Sequence, residues 1–302
     1  DVEQTLDQLA KQARPQPVAV NTVPSPTLTA NGDTIKIASF NIQVFGTSKL
    51  GKPRVMDVLA EVVRRFDVVA IQEVRSKDET VVPRFAEMVS AGGPRYDFVL
   101  GPRLGRTSSK EQYAFLFDTS RIEVDRRSIY TPGDPEDLLH REPLVARFRV
   151  RSAAPDRAFT FNLVNIHTDP DETDTELDAL DDFFTAVQRN ATGEDDVILL
   201  GDLNVDERHL GELGALPQIA WVVSGRATNT RGSKSYDNIL FDRRATTEYT
   251  GYWGVLDLLG EYNLSLEEAL AVSDHLPVWA EFSAWEGAAA PHLVARPDTS
   301  AR

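Results

Sequence analysis

The chain has 302 residues, 41% of them hydrophobic, and no cysteine. That is enough apolar material for one large core, and the missing thiols exclude disulfides and cysteine-based metal or nucleophile chemistry. The formal net charge of −15 argues against a stable nucleic-acid-binding module, since phosphate contacts dominate such affinity, but allows an enzyme that meets a polyanion briefly with help from divalent cations.

Residues 1–32 read as an appendage: an amphipathic "DVEQTLDQLAKQAR", then a linker rich in Pro, Thr and Asn. With no starting Met, this opening suggests either a cloned fragment or a removed leader, the latter with export from a bacterium, secreted or extracytoplasmic. The body spans 33–284. It opens with the strand-like "TIKIASFNI", which carries Asn41 near its end. "KPRVMDVLAEVVRRF" follows with Val55, Val58, Leu59, Val62, Val63 and Phe66 on one helical face. "DVVAIQEV" carries Glu73 at its end, and "YDFVLG", "YAFLFD" and "LVARFRV" are further strands.

"FTFNLVNIH" ends on His167, and "ELDALDDFFTAVQRN" has helical spacing through Leu177, Leu180, Phe183, Phe184 and Val187. The acidic run from Asp169 to Asp182 reads as a solvated helix start that suits the helix dipole, rather than as a calcium site. "DVILLGDLN" runs into Asp202 and Asn204. On an extended strand end, positions two apart share one face. "YDNILF" begins beside Asp237, and Asp274 and His275 precede "LPVWAEF". Residues 285–302 read as a flexible tail. No stretch reads as a membrane span. Several strand pairs have short links, which suggests a mixed α/β sandwich rather than a doubly wound parallel sheet. Trp221, Trp253 and Trp279 read as core aromatics, and His140, His209 and His292 as structural or surface histidines.

The same event recurs along the chain: an apolar run ends and a polar residue follows. If these strands share sheets, their ends can converge on one rim, where sites in layered folds collect. Asn, Glu and Asp are hard oxygen ligands suited to Mg²⁺, Mn²⁺ or Ca²⁺. A His oriented by a carboxylate is a general base or a charge stabiliser. Together they suit attack of water on a phosphodiester.

The set "SFNIQVFG", "IQEVRS", "KEQYAFLF", "LVNIHTDP", "LLGDLNVD", "SYDNILF" and "VSDHLPVWAEF" resembles the endonuclease/exonuclease/phosphatase superfamily, and within it the pancreatic-type deoxyribonucleases. The loops "LGRTSSKEQY" and "REPLV" point to that branch. The resemblance covers roughly residues 34–283. It implies an α/β (α+β) fold, a four-layer αββα sandwich of two mixed sheets flanked by helices. It implies a monomeric, metal-dependent endonuclease of low sequence specificity, with duplex DNA as substrate and no stable nucleic-acid complex. Asn41 and Glu73 would hold Mg²⁺ (or Mn²⁺), with Asp274 nearby. His275 would be oriented by Asp237, and His167 by Glu111. Asp202 and Asn204 would position the water and the phosphate, or a second metal. Arg75 and Arg141 would contact phosphates, and Arg106 and Tyr236 would lie along the substrate. The alternative is a phosphoesterase of the same superfamily acting on a small-molecule or lipid phosphate, such as a phosphoinositide or sphingomyelin.

The chain also departs from that pattern. The loop "TNTRGSKSYD" lacks the family's disulfide. Arg226 stands where the family's calcium-binding Asp falls, although Thr228 and Thr230 remain. A second family calcium site would fall near Asp134, Asp137 and Glu142. Ser109 replaces a Tyr that reaches into the minor groove. Arg103, Arg106 and Lys110 share one loop, and Arg75, Lys77, Arg141, Arg231 and Lys234 flank the motifs. These suggest a basic rim on an acidic body.

Overall fold

A computed structural model describes residues 33–106, 110–151, 154–189 and 193–287. The appendage 1–32 and most of the expected tail lie outside the described residues, as does Ser109. Trp285, the first residue after the expected body, is tied to it: its backbone N–H donates to Ser283 Oγ at 3.0 Å and its indole N–H to Asp33 Oδ1 at 3.3 Å.

Among the described residues twelve strands form two six-stranded sheets. The first has the order β11 (Tyr249–Val255), β12 (Val278–Ser283), β1 (Thr34–Phe45), β2 (Val68–Val74), β4 (Gln112–Asp118), β3 (Tyr96–Leu100). The second runs β5 (Ile122–Tyr130), β6 (Leu144–Val150), β7 (Thr160–His167), β8 (Val197–Asp202), β10 (Asp237–Asp242), β9 (Ile219–Trp221). The named pairings are antiparallel except β1–β2 and β7–β8, so both sheets are mixed. Each parallel pair is joined through a helical crossover, as parallel pairing requires: α1 (Thr47–Leu50) and α2 (Pro53–Val63) for β1–β2, and α4 (Thr173–Arg189) for β7–β8.

Strand periodicity sorts the side chains into layers. Leu163, Ile198, Leu200, Ile239 and Phe241 enter the larger core, which both sheets share. Their neighbours Val164, Val197, Leu199 and Leu240 enter a smaller core with Leu177, Leu180, Phe184 and Val187 of α4. Phe115 and Phe117 of β4 meet Phe148 of β6 edge-on, with centroids 5.3 and 5.7 Å apart, so the two sheets pack face to face. Helix α2, with α3 (Val81–Ala91), α6 (Leu258–Tyr262) and α7 (Leu266–Val272), adds buried apolar residues to the core on the first sheet's side. The short α5 (Gly211–Ala215) packs beside α4. This is the four-layer αββα arrangement that the resemblance implies. Trp221, Trp253 and Trp279 are buried, as expected.

Gly201 sets the β7–β8 spacing just before the site. A Cβ at this position would fall 1.8 Å from the Ile166 carbonyl oxygen, so no other residue fits without separating the strands.

Candidate active site

The same two-residue period carries a polar set to one end of the inner faces. Ile37, Ser39 and Asn41 of β1 pair with Val68, Ala70 and Gln72 of β2. In the second sheet Asn165 and His167 continue the inward line of Leu163, and Asp202 continues that of Ile198 and Leu200. Asp237 pairs with Asp202. Where the apolar inner layers end, a polar layer links the sheets. Gln72 donates to Asn165 Oδ1 at 2.7 Å. Asn165 Nδ2 donates across the sandwich to the Ile71 and Ala114 carbonyls, each at 3.1 Å. Tyr113 Oη accepts from the His167 backbone N–H at 2.9 Å.

Above this floor two His–carboxylate pairs converge. His275 Nδ1 lies 2.9 Å from Asp237 Oδ2, and His167 Nδ1 lies 3.1 Å from Glu111 Oε1. Their Nε2 atoms turn to one oxygen, Asp202 Oδ2, at 3.4 and 3.5 Å. Asn41 Nδ2 donates to that oxygen at 3.0 Å and to Glu73 Oε1 at 3.2 Å. Asn41, Glu73, Glu111, His167, Asp202, Asp237 and His275 thus form one connected cluster, with Glu73 partly open to solvent. Asp274 adjoins it, with a buried Oδ1 that has no hydrogen-bond partner.

Burial works against the His275 imidazolium. The Asp237, Asp202 and Asp274 carboxylates outweigh it and push the group up to about 11. Burial likewise opposes charge on His167, but Asp202 and Glu111 raise it above the usual histidine range. Burial also penalises the Glu111 carboxylate, yet the His167 hydrogen bond and the charges of His167, Arg141 and Arg75 hold it below its ordinary value.

Backbone strain sits on the strand ends that carry Asn41 and Glu73. Gln43, Val44 and Glu73 have φ of 35°, 51° and 61°. For the β-branched Val44 this costs on the order of 1–2 kcal/mol. The β1 irregularity between Asn41 and Phe45 aims the Val44 N–H at Glu73 Oε2, 2.8 Å away.

Several residues play parts that the sequence reading did not give them. Asn204 is not on an extended strand. β8 ends at Asp202, and Asn204 has φ 54°. Its N–H folds back to Asp202 Oδ1 at 3.1 Å and its side chain holds the Thr168 carbonyl at 2.8 Å. Such turns suit Asn, whose side chain tolerates the left-handed region. Arg141 is buried and spans Glu111 Oε1, at 2.6 Å, and the His167 carbonyl. Arg75 lies 3.3 Å from Glu73 Oε2 and is partly open. Arg106 does not stand free toward a substrate: its guanidinium pairs with Asp137 and Glu172. Tyr236 leans on His275 with ring centroids 5.8 Å apart.

Four of the residues at the family's calcium positions have partners of their own. Thr228 Oγ1 donates to Asp237 Oδ2 at 2.7 Å, and Thr230 Oγ1 to the Ser273 carbonyl at 2.7 Å. Asp137 is taken by Arg106, and Asp134 Oδ2 accepts the Leu139 N–H at 2.7 Å. The cysteine-free loop is held instead by Asn229, whose Oδ1 accepts from the Ser233 and Lys234 N–H groups at 2.8 and 2.9 Å.

Gln72, Asn165, Tyr113, Ser273 and Lys49 also support the site and were not picked out from the sequence. The signal was present in part: Asn165 interrupts an apolar strand two residues before His167, and a buried polar residue is the informative exception. Lys49 gave no such signal. It is buried and donates to the Ile42 and Val272 carbonyls at 2.7 and 2.8 Å, tying β1 to the loop of His275. Burial depresses it to about 8 despite Asp274 and Glu73.

The donor set fits a hard divalent cation. Glu73, Asp202 and Asp274 supply oxygens, and Asp274 Oδ1 is buried without a partner. Asp202, Asp237 and His275 each offer a ligand atom, all within 4.8 Å of one another.

The chain that carries this cluster at the rim of two packed mixed sheets is matched by a known family. The profile of the Endonuclease/Exonuclease/phosphatase family covers residues 38–275, and the chain belongs to that family. Rat deoxyribonuclease gamma is 31% identical over 263 residues, which is 81% of this chain and 83% of the rat protein. Bovine deoxyribonuclease-1 is 31% identical over 262 residues, 82% of this chain and 92% of the bovine one. Human deoxyribonuclease-1-like 1 is 33% identical over 266 residues, 83% of this chain and 86% of the human one. A solved structure of zebrafish TDP2 with a single-strand DNA product has the same fold at 16% identity, with a TM-score of 0.57, covering 82% of this chain and 98% of that one. A Bacteroides thetaiotaomicron mannosyl-6-phosphatase shares it at 15% identity and a TM-score of 0.52, covering 82% and 98%. With deoxyribonucleases as its relatives, the chain is a metal-dependent hydrolase of phosphodiester bonds.

Proposed function

We propose that the protein is an endonuclease of low sequence specificity that hydrolyses duplex DNA with Mg²⁺ or Mn²⁺. The observation that carries this reading is the approach of two carboxylate-held imidazoles to one oxygen of Asp202, beside Asn41 and Glu73. The deoxyribonuclease names of the relatives supply the substrate class. Low specificity accords with a site built for the phosphodiester, which carries no sequence information.

Asn41 and Glu73 would hold the cation, with Asp202 and Asp274 adjoining. A cation there neutralises phosphate charge and makes the phosphorus a better electrophile. The protein's own groups do the proton work. His167, fixed by Glu111, would take the proton of the attacking water in its neutral form, which a cation beside Asp202 would favour by offsetting the charge that raises it. His275 gives a proton to the leaving oxygen, since the Asp237, Asp202 and Asp274 carboxylates favour its protonated form. Asp237 orients His275 as Glu111 orients His167. Arg141 fixes Glu111, and Arg75 and Tyr236 flank the scissile phosphate. Asn204 fixes the turn that carries Asp202.

The test is a substrate panel of plasmid, single-stranded DNA, RNA, an inositol phosphate and sphingomyelin, each with and without EDTA. EDTA-sensitive nicking of the plasmid at the highest kcat/KM is expected. Faster turnover of the inositol phosphate or the lipid would replace this reading with the small-molecule or lipid phosphoesterase alternative.

A further inference from the structure

At the opposite rim of the sandwich a second acidic cluster lies within electrostatic reach of carboxylates from the other sheet. Glu194, Asp195 and Asp196 each offer one carboxylate oxygen, all within 4.8 Å of one another. They immediately precede β8. The six residues from Val197 to Asp202 separate this cluster from the catalytic carboxylate by about 20 Å of extended chain. From the first sheet, Glu248 precedes β11 and Glu286 follows β12.

Clusters of carboxylates on a surface are ordinary. This one is partly internal. Asp196 and Glu248 are only 5% and 1% exposed, and each has a fully buried oxygen that finds no hydrogen-bond partner among the described residues, Asp196 Oδ1 and Glu248 Oε2. The two residues act on each other electrostatically, and Glu194 and Glu286 add to the repulsion at Asp196, which a hydrogen bond with the Thr246 side chain only partly offsets. The remaining contacts fix the carboxylates in place without neutralising them. Glu248 Oε1 accepts the Gly287 N–H at 2.6 Å, Glu286 Oε1 the Thr160 N–H at 2.7 Å, and Glu194 Oε1 the Asp196 N–H at 3.0 Å. Arg147 is the basic group that acts on Glu194. An orphaned buried carboxylate oxygen is costly, and two of them on carboxylates that repel each other cost more. A hard cation with several oxygen ligands resolves both, and Ca²⁺ accepts such irregular carboxylate sets more readily than Mg²⁺ does.

We propose that Asp196 and Glu248, with Glu194, Asp195 and Glu286, bind a structural Ca²⁺ that staples the two sheets together at the rim remote from the active site. The site lies apart from Asp134, Asp137 and the Thr228 loop, and it does not depend on which phosphodiester the enzyme cleaves. It gives this cysteine-free chain a cross-link that neither a disulfide nor the engaged threonines provide.

The experiment is calcium titration of the full chain carrying Glu73→Gln, which removes a ligand at the catalytic cluster. One Ca²⁺ per chain is expected, with Tm rising by about 5 °C or more at saturation. Adding Asp196→Asn and Glu248→Gln abolishes both effects, while the same two changes in the wild-type background leave Mg²⁺-dependent nicking within about twofold. Terbium supplies a location independent of those variants. Its emission, excited through Trp285 beside Glu286, falls at least twofold in Trp285→Phe. Absence of calcium uptake by the Glu73→Gln chain at millimolar Ca²⁺ would overturn the proposal and leave Asp196 and Glu248 sharing a proton. Equal uptake by the triple variant, or unchanged terbium emission in Trp285→Phe, would also overturn it.

Discussion

His275 Nε2 stands 3.4 Å from Asp202 Oδ2, the same oxygen that His167 Nε2 approaches to 3.5 Å. Asp202 is therefore the meeting point of the two imidazoles. Asp202→Asn keeps the size and the turn but removes the charge that both rings share. We expect a fall in nicking rate of about 10²–10⁴-fold with an unchanged circular dichroism spectrum. A fall of less than tenfold would remove Asp202 from the mechanism.

Arg141 and Arg106 are separated by their surroundings. Arg141 is buried against Glu111, and Arg141→Met leaves that buried carboxylate with only His167 and the more distant Arg75 as charge partners, at a cost of up to about 3–5 kcal/mol. Activity falls with it because His167 loses its anchor. Arg106 pairs with Asp137 and Glu172 at the exposed surface, where ion pairs are worth about 0–1 kcal/mol. Arg106→Ala is expected to keep Tm within about 2 °C and kcat within about threefold of wild type. Urea unfolding of Arg141→Met, with nicking kinetics on both variants, checks the contrast.

Thr228 holds the Asp237 oxygen that also faces His275. Thr228→Val preserves shape and removes that donor, at a cost of about 1–3 kcal/mol. The tilt left in Asp237 is expected to lower kcat about tenfold with little change in KM. Lower KM affinity at constant kcat would show that Thr228 serves the substrate instead.

The remote acidic rim predicts a pH dependence of stability. In the metal-free chain burial, reinforced by Glu248, pushes Asp196 up to about 9, and burial pushes Glu194 up to about 7. The folded chain keeps these protons above the usual carboxylate range of about 4, where the unfolded chain has released them. Stability therefore falls as pH rises from about 4 to 9, by at most about 1.4 kcal/mol per pH unit for each group. Chemical denaturation in EDTA at pH 5 and pH 8 measures it: wild type is expected to be more stable at pH 5, and Asp196→Asn to flatten the difference.

The elements most legible in the sequence were those with a strong apolar period. The helical faces of Val55–Phe66 and Leu177–Val187 correspond to α2 and α4. The strands that went unread lack that signal. β5, "IEVDRRSIY", is an edge strand with exposed Arg126 and Arg127, and β11 contains Gly251 and Gly254. Helix α7 carried a readable mark, the Ser265–Glu268 capping box. For the site, strand-end residues such as His167 and Asp202 were legible because inward parity carries on past the apolar layer. Asn204 was misplaced on a strand because periodicity does not reveal where a strand stops and a left-handed turn begins. The bonds of Asn165 and Tyr113 depend on how one sheet faces the other, which only tertiary packing decides.

Plasmid nicking by wild type and His275→Ala, run side by side with Mg²⁺ and with EDTA, tests the central claim most directly. The account predicts nicking by wild type with Mg²⁺, none in EDTA, and a loss of at least about 10³-fold in His275→Ala. Equal rates for the two proteins, or cutting that persists in EDTA, would contradict it.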